Sequence, residues 1–113
     1  LWPEIGAALA VVGTALFLSS PAMAGEPVEV VEVRIAGYQY APAELQVKVG
    51  TTVRWVNAEK RTSHSILFVG PAGFESERIF PGESWQRTFD APGRHAYRCG
   101  PHPEMNGVVE VVE

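Results

Sequence analysis

Tyr97-Arg98-Cys99-Gly100-Pro101-His102-Pro103-Glu104-Met105-Asn106-Gly107 is the stretch that decides the fold. Upstream of it, Arg94 to Cys99 alternates, with His95, Tyr97 and Cys99 on one face, as a half-buried strand does. Downstream, Gly107-Val108-Val109-Glu110-Val111-Val112 is β-branched and forms the last predicted strand. The loop between them carries a thiol, an imidazole and a thioether as Cys-x-x-His-x-x-Met. Prolines on both sides of His102 fix φ and stiffen the loop.

Each of these residues is ordinary when taken alone. A single Cys is most often a small buried apolar residue, and Met a filler of core gaps. Their conjunction is not ordinary. The chain has one Cys, three His and two Met, and one of those Met, Met23, lies in an N-terminal leader. The other Met follows a His that itself follows the one Cys at equal spacing. His64, far upstream, adds a second imidazole. Two nitrogens, a thiolate and a weak thioether are the donor set of electron-transfer copper, trigonal with a long axial bond. The candidate ligands are therefore His64, Cys99, His102 and Met105, and the candidate cofactor is one copper. Zinc hydrolysis is a poorer match, because a thioether is a poor zinc ligand and no general base lies nearby in sequence.

Working back along the chain, Val28–Ile35 is β-branched with charges at 29, 32 and 34, a strand with one solvated face. Tyr38–Pro42 is extended, and its proline belongs at a strand end. Ala43–Val49 alternates, with Leu45, Val47 and Val49 sharing a face. Thr52–Asn57 follows the Gly50-Thr51 turn, with Val53 and Trp55 inward. A polar loop then delivers His64 to the start of an apolar strand, Ser65–Val69. Gly70–Gly73 is a turn, Phe74–Phe80 is irregular, and Ser84–Asp90 is another strand between Pro-Gly turns. No stretch after the leader shows helical periodicity over ten residues. Short strands punctuated by Gly/Pro turns specify an all-β sandwich.

The 113 residues amount to one domain. Ile5–Leu18 is an apolar run, followed by Ser19-Ser20-Pro21 and Ala22-Met23-Ala24. This has the h-region and small-x-small cleavage site of a secretory signal, and it is short of the ~20 residues of a membrane span. Leu1-Trp2-Pro3-Glu4 lacks the usual basic n-region. The expectation is a signal peptide over residues 1–24 and a mature domain over residues 25–113, exported to the periplasm and outside the membrane. A net charge of −4 argues against nucleic acid as a partner. With one Cys no intrachain disulfide forms, and a bound metal is the available staple for a small core.

The loop, with Tyr38-x-Tyr40-x-Pro42, Val53-x-Trp55-x-Asn57, His64, Pro81-Gly82-Glu83 and Phe89, resembles the cupredoxins, the type 1 blue-copper proteins, from about Val28 to Glu113. Its short ligand loop is most similar to that of the amicyanin branch. The resemblance implies a seven- to eight-stranded Greek-key β-sandwich, with His64, Cys99 and His102 equatorial and Met105 axial. It implies a monomeric one-electron carrier, not an enzyme, working between a redox protein donor and an acceptor, such as a dehydrogenase and a c-type cytochrome. The exposed edge of His102 is then the electron port, in an apolar patch supplied by Pro101, Pro103, Pro71 and Ala72.

Three positions depart from the family pattern. Ser65 stands where Asn usually follows the first His; its hydroxyl can bond across the ligand loop and its N–H can reach the Cys99 sulfur. Glu104 replaces an apolar residue before the Met, and is expected to be solvated. Arg98 replaces an aromatic before the Cys. His95 lies four residues from Cys99, roughly 13 Å along a strand, too far to be a ligand, and is expected to be a packed or edge residue. Asn57, at a strand end, is expected to be a turn former. A module for copper sequestration, delivery or sensing is the alternative function, although the chain lacks the Met/His-rich tract such proteins often carry. A second copper centre, as copper enzymes of related fold need, would take more histidines than the chain holds.

Overall fold

A computed structural model describes residues 28–113. The proposed leader, residues 1–24, lies outside the described residues. Eight strands follow one another: β1 (Val30–Ala36), β2 (Gln39–Ala41), β3 (Glu44–Lys48), β4 (Thr52–Asn57), β5 (Leu67–Phe68), β6 (Ser84–Thr88), β7 (Gly93–Arg98) and β8 (Asn106–Val112). They form two four-stranded sheets, ordered β2-β1-β4-β6 and β3-β8-β7-β5. β1 pairs parallel with β4 and β3 parallel with β8; the other pairs are antiparallel. The chain changes sheet repeatedly, so strands adjacent in space are mostly distant in sequence.

The alternation seen in the sequence is what fills the space between the sheets. Val33 and Ile35 of β1 and Val53 and Trp55 of β4 are wholly buried from one side. Val47, Phe68, Tyr97, Val109 and Val111 meet them from the other. Trp55 ties the layers together: its indole N–H donates to the Tyr97 hydroxyl at 3.1 Å, and its ring packs edge-on against Tyr97 and Phe68. Burial pushes the Tyr97 phenol up to about 12, so it stays a neutral hydrogen-bonding group. Val49, which alternation places on one face with Leu45 and Val47, is 39 % exposed. It lies past the end of β3 in the turn, where its N–H bonds Val112 and its side chain is free of the pleat.

The strand expected over Ser65–Val69 is regular only at Leu67–Phe68. The N–H groups of Ser65 and Ile66 go instead to the Cys99 sulfur and the Ser76 hydroxyl. His64 sits in an isolated antiparallel bridge to Ile79, with bonds of 3.1 and 2.8 Å. Its placement thus depends on the irregular segment after the Gly70–Gly73 turn, in which Glu75 also bridges Leu67.

Candidate metal centre

β7 ends at Arg98 and β8 begins at Asn106, and the paired register Arg98↔Asn106 pinches the loop between them at its base. Two backbone bonds close it further: the Cys99 N–H donates to the Met105 carbonyl at 3.0 Å, and the Met105 N–H to the His102 carbonyl at 2.9 Å. Arg98, an unexpected residue here, braces the same loop by donating to the carbonyls of Cys99 (2.9 Å) and Gly100 (3.3 Å). Cys99 and Met105 are buried, and His102 is half-buried. Glu104 is exposed, as a solvated carboxylate would be.

His64 comes from the other side on an arm that begins at Asn57. Asn57 does more than form a turn. It is fully buried, its amide donates to the carbonyls of Thr62 (2.8 Å) and Ile79 (2.9 Å), and its oxygen accepts the Glu59 N–H at 2.9 Å. Beyond His64, the Tyr40 hydroxyl donates to the Ser65 carbonyl at 2.7 Å. Burial first, then the neighbouring Cys99 and Tyr97, raises the Tyr40 pKa, so it remains a donor. Ser65 bridges arm and loop in both ways the sequence allowed. Its N–H points at the Cys99 sulfur at 3.4 Å, and its hydroxyl accepts the Gly100 N–H at 2.9 Å. That hydroxyl in turn donates to Glu75 at 2.7 Å. The Glu75 carboxylate lies so close to Gly100 that a Cβ there would overlap it.

His64, Cys99 and His102 each offer a donor atom, all within 4.8 Å of one another. The Cys99 sulfur is 3.6 Å from His64 Nδ1 and 3.6 Å from His102 Nδ1. A single thiol proton serves one nitrogen only, so the symmetry suits one atom shared by all three. A nitrogen at about 2.0 Å and a sulfur at about 2.3 Å from one metal, 120° apart, stand roughly 3.7 Å from each other. Both sulfur–nitrogen edges lie close to that, so the donor set fits a metal shared between the thiolate and the two imidazoles. Burial, and the facing His102, lower the His64 pKa, with Glu59 pulling it part of the way back. His64 Nε2 is 3.4 Å from Glu59 Oε2 but too poorly aligned to hydrogen-bond it. Burial dominates, so the imidazole is neutral near pH 7 and its Nδ1 lone pair is free for a metal.

A sequence profile of the copper-binding proteins of the plastocyanin/azurin family matches residues 28–112. The chain belongs to that family. Amicyanin from Paracoccus denitrificans is 37% identical over 97 residues, which cover 81% of this chain and 73% of that protein. Amicyanin from Paracoccus versutus is 36% identical over 94 residues, 80% of this chain and 70% of its own. Among solved structures, an amicyanin variant in its Cu(I) form superposes with a TM-score of 0.69 at 36% identity, covering 73% of this chain and 81% of that one. A copper-containing nitrite reductase from Thermus scotoductus SA-01 superposes with a TM-score of 0.71 at 32% identity, but the match spans 25% of that chain. For this plastocyanin/azurin-family protein, His95 stands apart from the centre. It packs on Phe89 with ring centroids 5.0 Å apart, as a packed residue rather than a ligand.

Asn57, Tyr38 and Glu75 are the contributors that sequence spacing did not reveal. Tyr38 packs edge-on against both imidazoles, 5.6 Å from His64 and 5.0 Å from His102.

Proposed function

We propose that the protein is a one-electron carrier in which His64, Cys99, His102 and Met105 would hold a single type 1 copper. The observation that carries this reading is the symmetric 3.6 Å placement of Cys99 Sγ between two imidazole nitrogens. When bound, copper supplies the one-electron couple; the chain supplies a fixed pocket for it. The Ser65 N–H aimed at the sulfur ties the arm to the ligand loop and helps fix the position of the Cys99 side chain. The buried arm and the closed loop leave little room for the ligands to rearrange between oxidation states. Similarity to amicyanin supports a working place between a redox donor and an acceptor, with the half-buried His102 as the port.

Export to the periplasm, with cleavage after Ala24, completes the proposal; the apolar run followed by Ala-Met-Ala supports it. The test is the visible spectrum of the Cu(II)-loaded protein beside Cys99→Ala. An intense blue thiolate-to-copper band is expected, absent in the variant. A pale spectrum unchanged by the substitution would remove Cys99 as a ligand and the carrier reading with it.

A further inference from the structure

Ala36 pairs with Gln39, so Gly37 and Tyr38 form a two-residue hairpin loop, and both have left-handed φ, 60° and 59°. Such a type I′ loop favours Gly at its second position. A tyrosine there strains the backbone, and it is the one non-glycine residue with positive φ among the described residues. Strain of this kind persists when the surroundings hold it in place. Here the Tyr38 N–H donates to Glu59 Oε2 at 2.8 Å, and its hydroxyl meets the Thr62 hydroxyl at 3.2 Å. Its ring stands perpendicular to both His64 and His102, at 89° to each. Yet Tyr38 is 46 % exposed, so burying an apolar ring does not explain its presence.

We infer that Tyr38 is a positioning residue of the copper site: its ring spans the two imidazoles on their solvent side and holds them against release of the metal. The inference rests on the ligand set proposed above. Tyr38 is suited to this because it joins both halves of the site. It contacts His102 on the ligand loop, His64 on the arm, and the Glu59 oxygen that lies beside His64 Nε2. The edge-to-face arrangement sets the positive rim of one ring against the face of another and is directional, so it restrains the tilt of each imidazole. A strained backbone is then retained because glycine, which would relax the turn, has no ring to offer.

The test compares the full chain with Tyr38→Gly, Tyr38→Phe and Tyr38→Leu. Each is loaded with Cu(I) and challenged with excess bathocuproine disulfonate, and the rate of copper release is followed. Two lost aromatic contacts predict release on the order of tenfold faster for Tyr38→Gly. Tyr38→Phe, which keeps the ring, should stay within about twofold of the parent. Tyr38→Leu keeps bulk without a ring edge and should behave like glycine; it carries the test if the glycine variant does not fold cooperatively. Release at the parent rate by the ringless variants would overturn the inference, as would release by Tyr38→Phe as fast as theirs. Loss of the blue band in the parent Cu(II) protein would overturn the ligand set itself. Equal rates with that band intact would overturn only the role of Tyr38.

Discussion

Two pieces of chain meet at the candidate copper site, and they are held in opposite ways. The Cys99–Met105 loop is closed by its own short-range backbone bonds, by the register of β7 on β8 and by two prolines. The arm from Ala58 to Ser65, which leaves the end of β4 at Asn57, has no repetitive structure of its own. It is fixed by the Asn57 side chain, by the bridge to Ile79 and by the Tyr40 hydroxyl. The loop is rigid because it is short, and the arm because the folded domain surrounds it. Damage to the loop should therefore fall on metal binding, and damage to the arm on the stability of the whole domain.

The sharpest way to break this contrast is Asn57→Ala. Three backbone groups, the buried Ile79 carbonyl and the part-buried Thr62 carbonyl and Glu59 N–H, lose their partner together. An unsatisfied buried group costs ~1–3 kcal/mol, so a non-additive loss of about 2–4 kcal/mol is expected. For a domain of this size that lowers Tm by roughly 10–20 °C. Thermal unfolding of the metal-free protein measures it. A change of a degree or two would mean that the arm is held elsewhere.

Ser65→Ala probes the seam between the two pieces. The Gly100 N–H loses its acceptor, the Glu75 carboxylate its donor, while the Ser65 backbone bond to sulfur is untouched. The expected cost is about 0.5–1.5 kcal/mol, read as up to about tenfold faster amide exchange at Gly100. Exchange at Met105, whose N–H bonds within the loop, should stay as it was. Equal acceleration at both would show that the loop depends on the arm.

The smallest expected effect is that of pH on the metal-free protein. Burial lowers the pKa of His64, and burial together with nearby Arg87 lowers that of His95, against a weaker pull from Glu110. The unfolded chain protonates these imidazoles near 6.5, while the folded chain resists protonation until lower pH. In that window the unfolded state binds more protons, so stability rises with pH and declines as pH drops below about 6.5. Urea midpoints between pH 7.5 and 5 should trace this fall. His95→Gln should flatten part of it, and copper loading should extend the His64 share to lower pH, because a ligating imidazole is held deprotonated while the unfolded chain still takes up the proton. A pH-independent midpoint would show that neither imidazole changes its proton affinity on folding.

The strands were legible wherever alternation ran for five residues or more. β1, β3, β4, β6, β7 and β8 fall within a residue or two of their expected limits, because the pleat forces every second side chain into the core. β5 was not, since its first residues surrender their N–H groups to Cys99 and Ser76, a choice no local pattern records. Three of the four candidate ligands were equally plain, because they lie at fixed spacing on one loop.

By itself the sequence determined the sandwich and the candidate loop with its thiol, imidazole and thioether, all of which rest on patterns local in the chain. Only the tertiary structure decided how His64 reaches that loop, that Asn57 holds it there, and that a strained Tyr38 spans both imidazoles. The hydrogen bonds responsible join residues 21 to 35 positions apart, such as Tyr38 with Glu59, Asn57 with Ile79, Tyr40 with Ser65 and Gly100 with Ser65, and the ring contact of Tyr38 with His102 reaches farther still. Hydrogen bonds and ring contacts of that span depend on how the two sheets are stacked, and local spacing carries no trace of them.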